Sequence, residues 1–282
     1  MGLRWAGGKT LNKAESHALA CLEVWGGNRP LSEEIRLPGL SGWLHSRPHA
    51  GSAAGGDVYY VSLCSRGELA RVGVADVSGH GDDVSRLANR LRELMHKHVN
   101  AWDQSNFVRD LNESFGKEVT RGHFATAVLV GLHAPSGQLM LTNGGHPPPL
   151  WFHNQTRQWE LLSSACATCS EPLLDLPLGI IPGTQYHQSL VQLEPGDLLI
   201  LYSDGLAEAQ NPAGEMLNEA GLLKLAVNLP TDSASAAGQA LLAAVAAYRS
   251  DTAVNDDETV VSLQRLAPPS AGLAPQPAGQ AA

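Results

Sequence analysis

The chain has 282 residues, with 19 Lys+Arg against 28 Asp+Glu, so its formal net charge is −9; 43% of it is hydrophobic and 17% charged. That is the composition of a globular chain long enough to bury a substantial core, and the acidic balance argues against nucleic acid as a partner, because phosphate backbones call for clustered positive charge. The longest apolar helical stretch, around residues 236–248, falls short of the roughly 20 residues that cross a bilayer.

Residues 1–6 show no secretory pattern, and Ala6 stands where a myristoylation signal wants Ser or Thr. A cytoplasmic protein without a membrane partner is therefore expected, with its four cysteines reduced. Cys166 and Cys169 form a CxxC that supplies only two of the four ligands of a structural zinc site, so they read as ordinary cysteines in a loop insert.

In chain order, residues 1–48 read as an N-terminal extension carrying a short amphipathic helix at 14–25, then a Gly/Pro-punctuated connector. Two strand-like runs follow at 58–64 and 69–75, and the Ser65-Arg66-Gly67-Glu68 turn between them reads as a β-hairpin. Apolar residues at helical spacing predict helices over 83–99 and 103–119. Strands are expected at 125–132 and 138–142, shorter ones near Leu150 and Leu161, and a buried one at 198–202. Two Ala/Leu-rich helices (216–227 and 233–248) precede a last strand at 259–266. Residues 267–282, uncharged and rich in Ala, Pro and Gly, read as a disordered tail. Hairpin-linked strands interleaved with helix pairs predict an α+β fold with largely antiparallel sheets covered by helices.

The aspartates fall at strand ends. With Arg66-Gly67 at the turn, the hairpin register sets Asp57 opposite Asp76 at its open end. Asp204 directly follows the apolar run 198–202, and Asp256-Asp257 directly precede the last strand, so antiparallel pairing can gather these carboxylates at one sheet edge. Carboxylates so gathered repel one another unless protonated or bridged by cations, and oxygen-only donors suit Mg²⁺ or Mn²⁺ rather than zinc. Gly55-Gly56, Gly79, Gly81 and Gly205 beside them let backbone approach a ligand.

Gly55-Gly56-Asp57, Ala75-Asp76-Val77-Ser78-Gly79-His80-Gly81, Asn143-Gly144-Gly145-His146-Pro147, Tyr202-Ser203-Asp204-Gly205 and Asp256-Asp257-Glu258-Thr259 occur in the order and spacing of one family. The chain resembles, over roughly residues 51–265, the SpoIIE-like branch of the PPM metal-dependent serine/threonine protein phosphatases. The resemblance implies two antiparallel β-sheets in a sandwich flanked by helix pairs, with a catalytic domain over 49–266 and two Mn²⁺ or Mg²⁺ ions at one end. It implies that Asp76 bridges the ions and the Val77 carbonyl adds a ligand. Asp57 would serve one ion, and Asp204 and Asp256 the other; Asp257 is the weaker ligand candidate of its pair.

The implied reaction is hydrolysis of phosphoserine or phosphothreonine by a water that two metal ions activate. The implied partner is a phosphorylated regulatory protein of the anti-sigma-factor-antagonist type. Ser78 stands where the eukaryotic branch has a histidine proposed as general acid, which makes Ser78, His80 and His146 candidates for phosphate or acid contacts. Asp82-Asp83 either favour the helix dipole or alter metal affinity, and Arg86, Arg90 and Lys97 read as a solvated helix face. Control would come from self-association as a homodimer, for which the segment around Trp25-Gly26-Gly27-Asn28 is a candidate, from a separate activating protein, or not at all. Two other readings are a non-catalytic phosphoprotein-binding module of this fold and a small-molecule phosphatase.

Overall fold

The computed structural model describes residues 17–19, 23–49, 52–63, 67–79, 81–99, 101, 103–119, 122–163 and 175–267. Thirteen strands are present among them: β1 (His17–Ala18), β2 (Val24–Gly27), β3 (Leu31–Leu37), β4 (Leu40–Arg47), β5 (Asp57–Leu63), β6 (Leu69–Val77), β7 (Ala125–His133), β8 (Gln138–Gly144), β9 (Leu150–His153), β10 (Gln158–Leu161), β11 (Ser189–Gln192), β12 (Leu198–Tyr202) and β13 (Glu258–Arg265). The helices are α1 (Asp82–Lys97), α2 (Gln104–Phe115), the single turn α3 (Asp204–Ala207), α4 (Asn218–Ala226) and α5 (Ala234–Arg249).

The strands form two sheets, ordered β1-β3-β4-β13-β12-β9-β10 and β11-β8-β7-β6-β5-β2. Pairing is antiparallel apart from the two-residue β1, which lies parallel to β3. The expected sandwich is therefore present, and its central strands show why they read as unbroken apolar runs: both faces are covered.

The strand period of two sorts each run between two cores. Along β5, Tyr59, Val61 and Leu63 face the layer between the sheets, while Val58 and Tyr60 pack under α1 and α2. Leu199 and Leu201 of β12 enter the same inter-sheet layer, while Leu198, Ile200 and Tyr202 face α4 and α5. Helix α1 seats Val84, Ala88, Leu91 and Met95 on its sheet at i, i+4 and i+3 spacing. Truncating a fully buried leucine such as Leu91 is expected to cost about 2–5 kcal/mol.

Two expectations about the N-terminal segment are corrected. Instead of a helix over 14–25, the described residues there pair as β1 and β2, and β2 lies antiparallel to β5. Residues of this stretch find strand partners instead: Trp25 packs on Tyr59 of β5 with ring centroids 5.5 Å apart. Nor is the segment an appendage, since β3 pairs with β4 and β4 with the central β13. Cys166, Cys169, His80 and residues 268–282 lie outside the described residues.

Candidate metal centre

The hairpin register predicted from the turn is the one observed: β5 pairs with β6 so that Asp57 lies opposite Asp76. Alternation decides where the two side chains go. Asp57 shares parity with Tyr59 and Val61, and Asp76 with Val72 and Val74, all of which line the inter-sheet layer. Both carboxylates therefore stand where that layer opens at one end of the sandwich. By the same rule Asp257 and Thr259 share the inward face of Val261 and Leu263, whereas Glu258 faces α5, where Arg249 bonds it at 2.5 Å and Arg47 also pairs with it. Asp204 leaves the end of β12 in the first turn of α3.

These groups sense one another strongly. Asp57 is 2% exposed, and neither of its carboxylate oxygens has a hydrogen-bond partner. Burial first, then the Asp76 and Asp257 charges, hold its pKa well above the usual carboxylate range, while the nearby Ser203 and Thr259 hydroxyls act the other way. Burial and then Asp204, Asp256, Asp257 and Glu208 raise Asp76 to about 8. Burial and then Asp256 and Glu208 raise Asp204 to about 6. A Cβ at Gly56 would come within 2.9 Å of the Val77 carbonyl oxygen and 3.2 Å of Asp76 Oδ1, so both donors border the same backbone.

Among the described residues no three His, Cys, Asp or Glu side chains close around a single point. The arrangement is instead an open one, of the kind that leaves room for the waters Mg²⁺ retains. A buried carboxylate without a partner, beside carboxylates that raise one another's pKa, fits a hard divalent cation: added positive charge would remove the repulsion and the oxygens are the preferred donors. A cleft of about 460 Å³ lies against this end, lined in part by His49, Gly56, Gly79, Ser85, Asn255 and Asp256.

The remaining candidates separate clearly. His146 is turned inward: one ring nitrogen bonds Tyr202 O at 3.0 Å and the other the Thr126 hydroxyl at 2.8 Å, and burial lowers its pKa to about 4. It is a neutral structural histidine with no ring nitrogen left for phosphate or acid work, which corrects that expectation. Ser78 Oγ accepts the Phe124 N–H at 3.0 Å, and Ser78 O lies 3.1 Å from His123 Nδ1. Asp257 accepts three backbone N–H groups. Asp82 and Asp83 are exposed in the first turn of α1, where they complement its dipole. Arg86, Arg90 and Lys97 are exposed as expected of a solvated face, with Arg86 on Asp83 and Arg90 on Glu93 and Glu118. The Trp25–Asn28 segment is engaged within the chain, Asn28 being buried against Gly55.

Sequence reasoning missed Asn28, His123 and Asn255 at this end. His123 was reachable, because β7 begins at Ala125 opposite Val77 and so carries the residues just before it to the metal motif. Asn28 and Asn255 carried no such local signal.

Comparison with known proteins agrees with this geometry. Residues 66–266, the greater part of the chain, match the family described as Stage II sporulation protein E (SpoIIE). The phosphoserine phosphatase RsbU of Bacillus subtilis (strain 168) is 23% identical over 211 residues, 74% of this chain and 59% of RsbU. The chain thus spans well under two thirds of that curated relative. The crystal structure of the RsbU and RsbW domains of Rv1364c from Mycobacterium tuberculosis is 25% identical with a TM-score of 0.67, over 85% of this chain and 63% of that one. The catalytic domain of the serine/threonine phosphatase PstP, solved with two manganese ions, shares the fold at 17% identity and a TM-score of 0.56, over 81% of this chain and 99% of that one. The sandwich, its register and the match over residues 66–266 lead to one assignment: the chain belongs to the SpoIIE family of PPM-type serine/threonine phosphatases.

Proposed function

We propose that the chain hydrolyses phosphoserine or phosphothreonine on a regulatory protein with the help of two divalent metal ions, Mn²⁺ or Mg²⁺. The observation that carries this reading is Asp57, a buried carboxylate with neither oxygen hydrogen-bonded, lying beside Asp76 and Asp257, while Asp76 in turn senses Asp204 and Asp256. Asp76, Asp204 and Asp256 would hold the ions, with Asp57 on one side and the Val77 carbonyl as an added donor. Bound there, divalent cations supply Lewis acidity, lowering the pKa of a water and offsetting charge on the phosphoryl oxygens.

The chain's own residues do the rest. The β5–β6 pairing and the packing of β12 and β13 orient the carboxylates before any ion arrives. Their common negative potential concentrates cations and repels a bare phosphate, so phosphate binding is expected to follow metal loading. His146, neutral and doubly bonded, holds the turn after β8 on Tyr202 and moves no proton. A phosphoprotein as substrate is supported by the name of RsbU and by the RsbW domain that accompanies the RsbU domain in Rv1364c, and the open cleft leaves room for a loop or chain end.

Phosphate release from a phosphoserine peptide, a nucleotide and p-nitrophenyl phosphate, measured with Mn²⁺ and with EDTA, tests the proposal. Asp76→Asn and Asp204→Asn are expected to lower the Mn²⁺-dependent rate by more than about 100-fold, since even groups that only support a metal ligand cost 10–100-fold. Equal rates in wild type and Asp76→Asn would overturn the mechanism, and nucleotide turnover above that of the peptide would overturn the protein substrate.

A further inference from the structure

Asp257 was a ligand candidate by sequence, but its carboxylate is committed elsewhere. One oxygen takes the His49 N–H at 2.6 Å, and the other takes those of Gly56 and Asp57 at 2.5 and 3.1 Å. Gly56 and Asp57 stand at the start of β5, on the opposite sheet, and His49 lies just past the end of β4 in the connection that leads there. A carboxylate offers about four lone-pair sites, and bonds from N–H to an ionised acceptor are stronger than neutral ones. Three such bonds make a clamp and leave little for a cation.

The same stretch is held from behind. Asn28, 3% exposed, donates its side-chain amide to Gly55 O at 2.9 Å and to Ser85 O at 3.2 Å, while its backbone carbonyl accepts the Gly55 N–H at 2.9 Å. The backbone around Asp257 is tied in turn to β12. The Ser203 N–H bonds Thr259 O at 3.0 Å, and the Thr259 N–H bonds Ser203 Oγ at 2.9 Å. Asp256 precedes Asp257, Asp204 follows Ser203, and Asp57 follows Gly56. One side chain therefore sets the spacing of three strand ends from which the proposed ligands project.

We propose that Asp257 is a positioning residue rather than a metal ligand: by gripping the backbone N–H groups of His49, Gly56 and Asp57 it holds Asp57 in place across the gap between the two sheets. Its consequence for ion affinity rests on the two-metal reading above; the clamp itself does not.

Two measurements on the full chain test it: a calorimetric Mn²⁺ titration, and amide hydrogen exchange in metal-free protein without substrate. In Asp257→Asn the number of ions bound is expected to match wild type, with Mn²⁺ affinity weaker by about 10–100-fold. The amides of Gly56 and Asp57 are expected to exchange faster. In Asp256→Asn, ion stoichiometry is expected to fall while those amides stay protected. Gly55→Ala provides a variant that keeps every carboxylate, because the added Cβ would overlap the Asp257 carboxylate. It is expected to reproduce the faster exchange and weaker affinity, and it carries the test if Asp257→Asn does not fold. A lost ion in Asp257→Asn, or wild-type amide protection in both Asp257→Asn and Gly55→Ala, overturns the proposal. Absence of hydrolysis in wild type with the exchange result intact would count against the phosphatase reading and leave the clamp standing.

Discussion

Two buried aspartates stand at opposite ends of the sandwich, each 2% exposed, and they solve the same problem in opposite ways. Asp197, just before β12, accepts the backbone N–H of Asn154 at 2.8 Å and of Glu194 at 3.0 Å, and the Trp151 indole N–H at 3.3 Å. Asp57, where β5 begins, has both oxygens unpartnered and faces other carboxylates. The first arrangement stabilises a turn; the second stores repulsion that a ligand can relieve. Burial alone therefore does not set Asp57 apart; burial without a hydrogen-bond partner does, and it is the feature that calls for an explanation.

The contrast is sharpest in its pH dependence. The unfolded chain releases its Asp protons near 4, while the folded chain keeps one on Asp204 to about 6 and on Asp76 to about 8. Folded protein thus binds more protons through that window, and stability must fall as pH rises through it. His146 has the other sign, because a folded pKa of about 4 makes it stabilising above the unfolded value of 6.5 and progressively less so below. Between pH 6.5 and 9 the slope belongs to the carboxylates. Metal-free protein is expected to lose a few kcal/mol across that range in thermal melts, and saturating Mn²⁺ to remove the loss. A flat metal-free profile would break the contrast.

Substitution probes the two ends next. Asp197→Ala strands three donors and is expected to cost about 3 kcal/mol, read as a drop in Tm of roughly 6–12 °C for a domain of this size. Asp57→Asn is expected to raise the metal-free Tm at pH 8 while weakening the Mn²⁺-induced shift. If both variants destabilised the metal-free protein alike, the two aspartates would be the same kind of residue. The smallest effect is expected at the surface: Arg86→Ala breaks an exposed pair with Asp83 and should change stability by less than about 0.5 kcal/mol.

How far the sequence revealed this depended on the distance over which each feature is decided. The β5–β6 register was legible because both strands and their turn are contiguous, and the helix pairs were legible from apolar spacing. The N-terminal strands were not. Val24–Gly27 contains two glycines, and Leu31–Leu37 places two acidic residues side by side, so neither shows a clean alternation. Their identity as strands comes from partners far away in sequence. The centre divides likewise. Strand-end aspartates could be located from sequence, but the difference between Asp57 and Asp257 lies in N–H donors some 200 residues from their acceptor. Which way the His146 ring turns is decided by Tyr202, on the facing sheet.

The acidic run at the start of β13 has a consequence for how such a chain can change over time. Asp257 and Glu258 differ by one methylene, yet the pleat sends one to the β5 backbone and the other to Arg249 and Arg47. Replacing side chains around the cleft leaves that division intact. A slip of β13 by one residue against β4 and β12 would exchange the two acids, breaking the grip on β5 and the buried ion pair together. Lineages carrying this arrangement should therefore keep the two acids in step with the apolar residues of β13, whatever happens to the length of the connection before them.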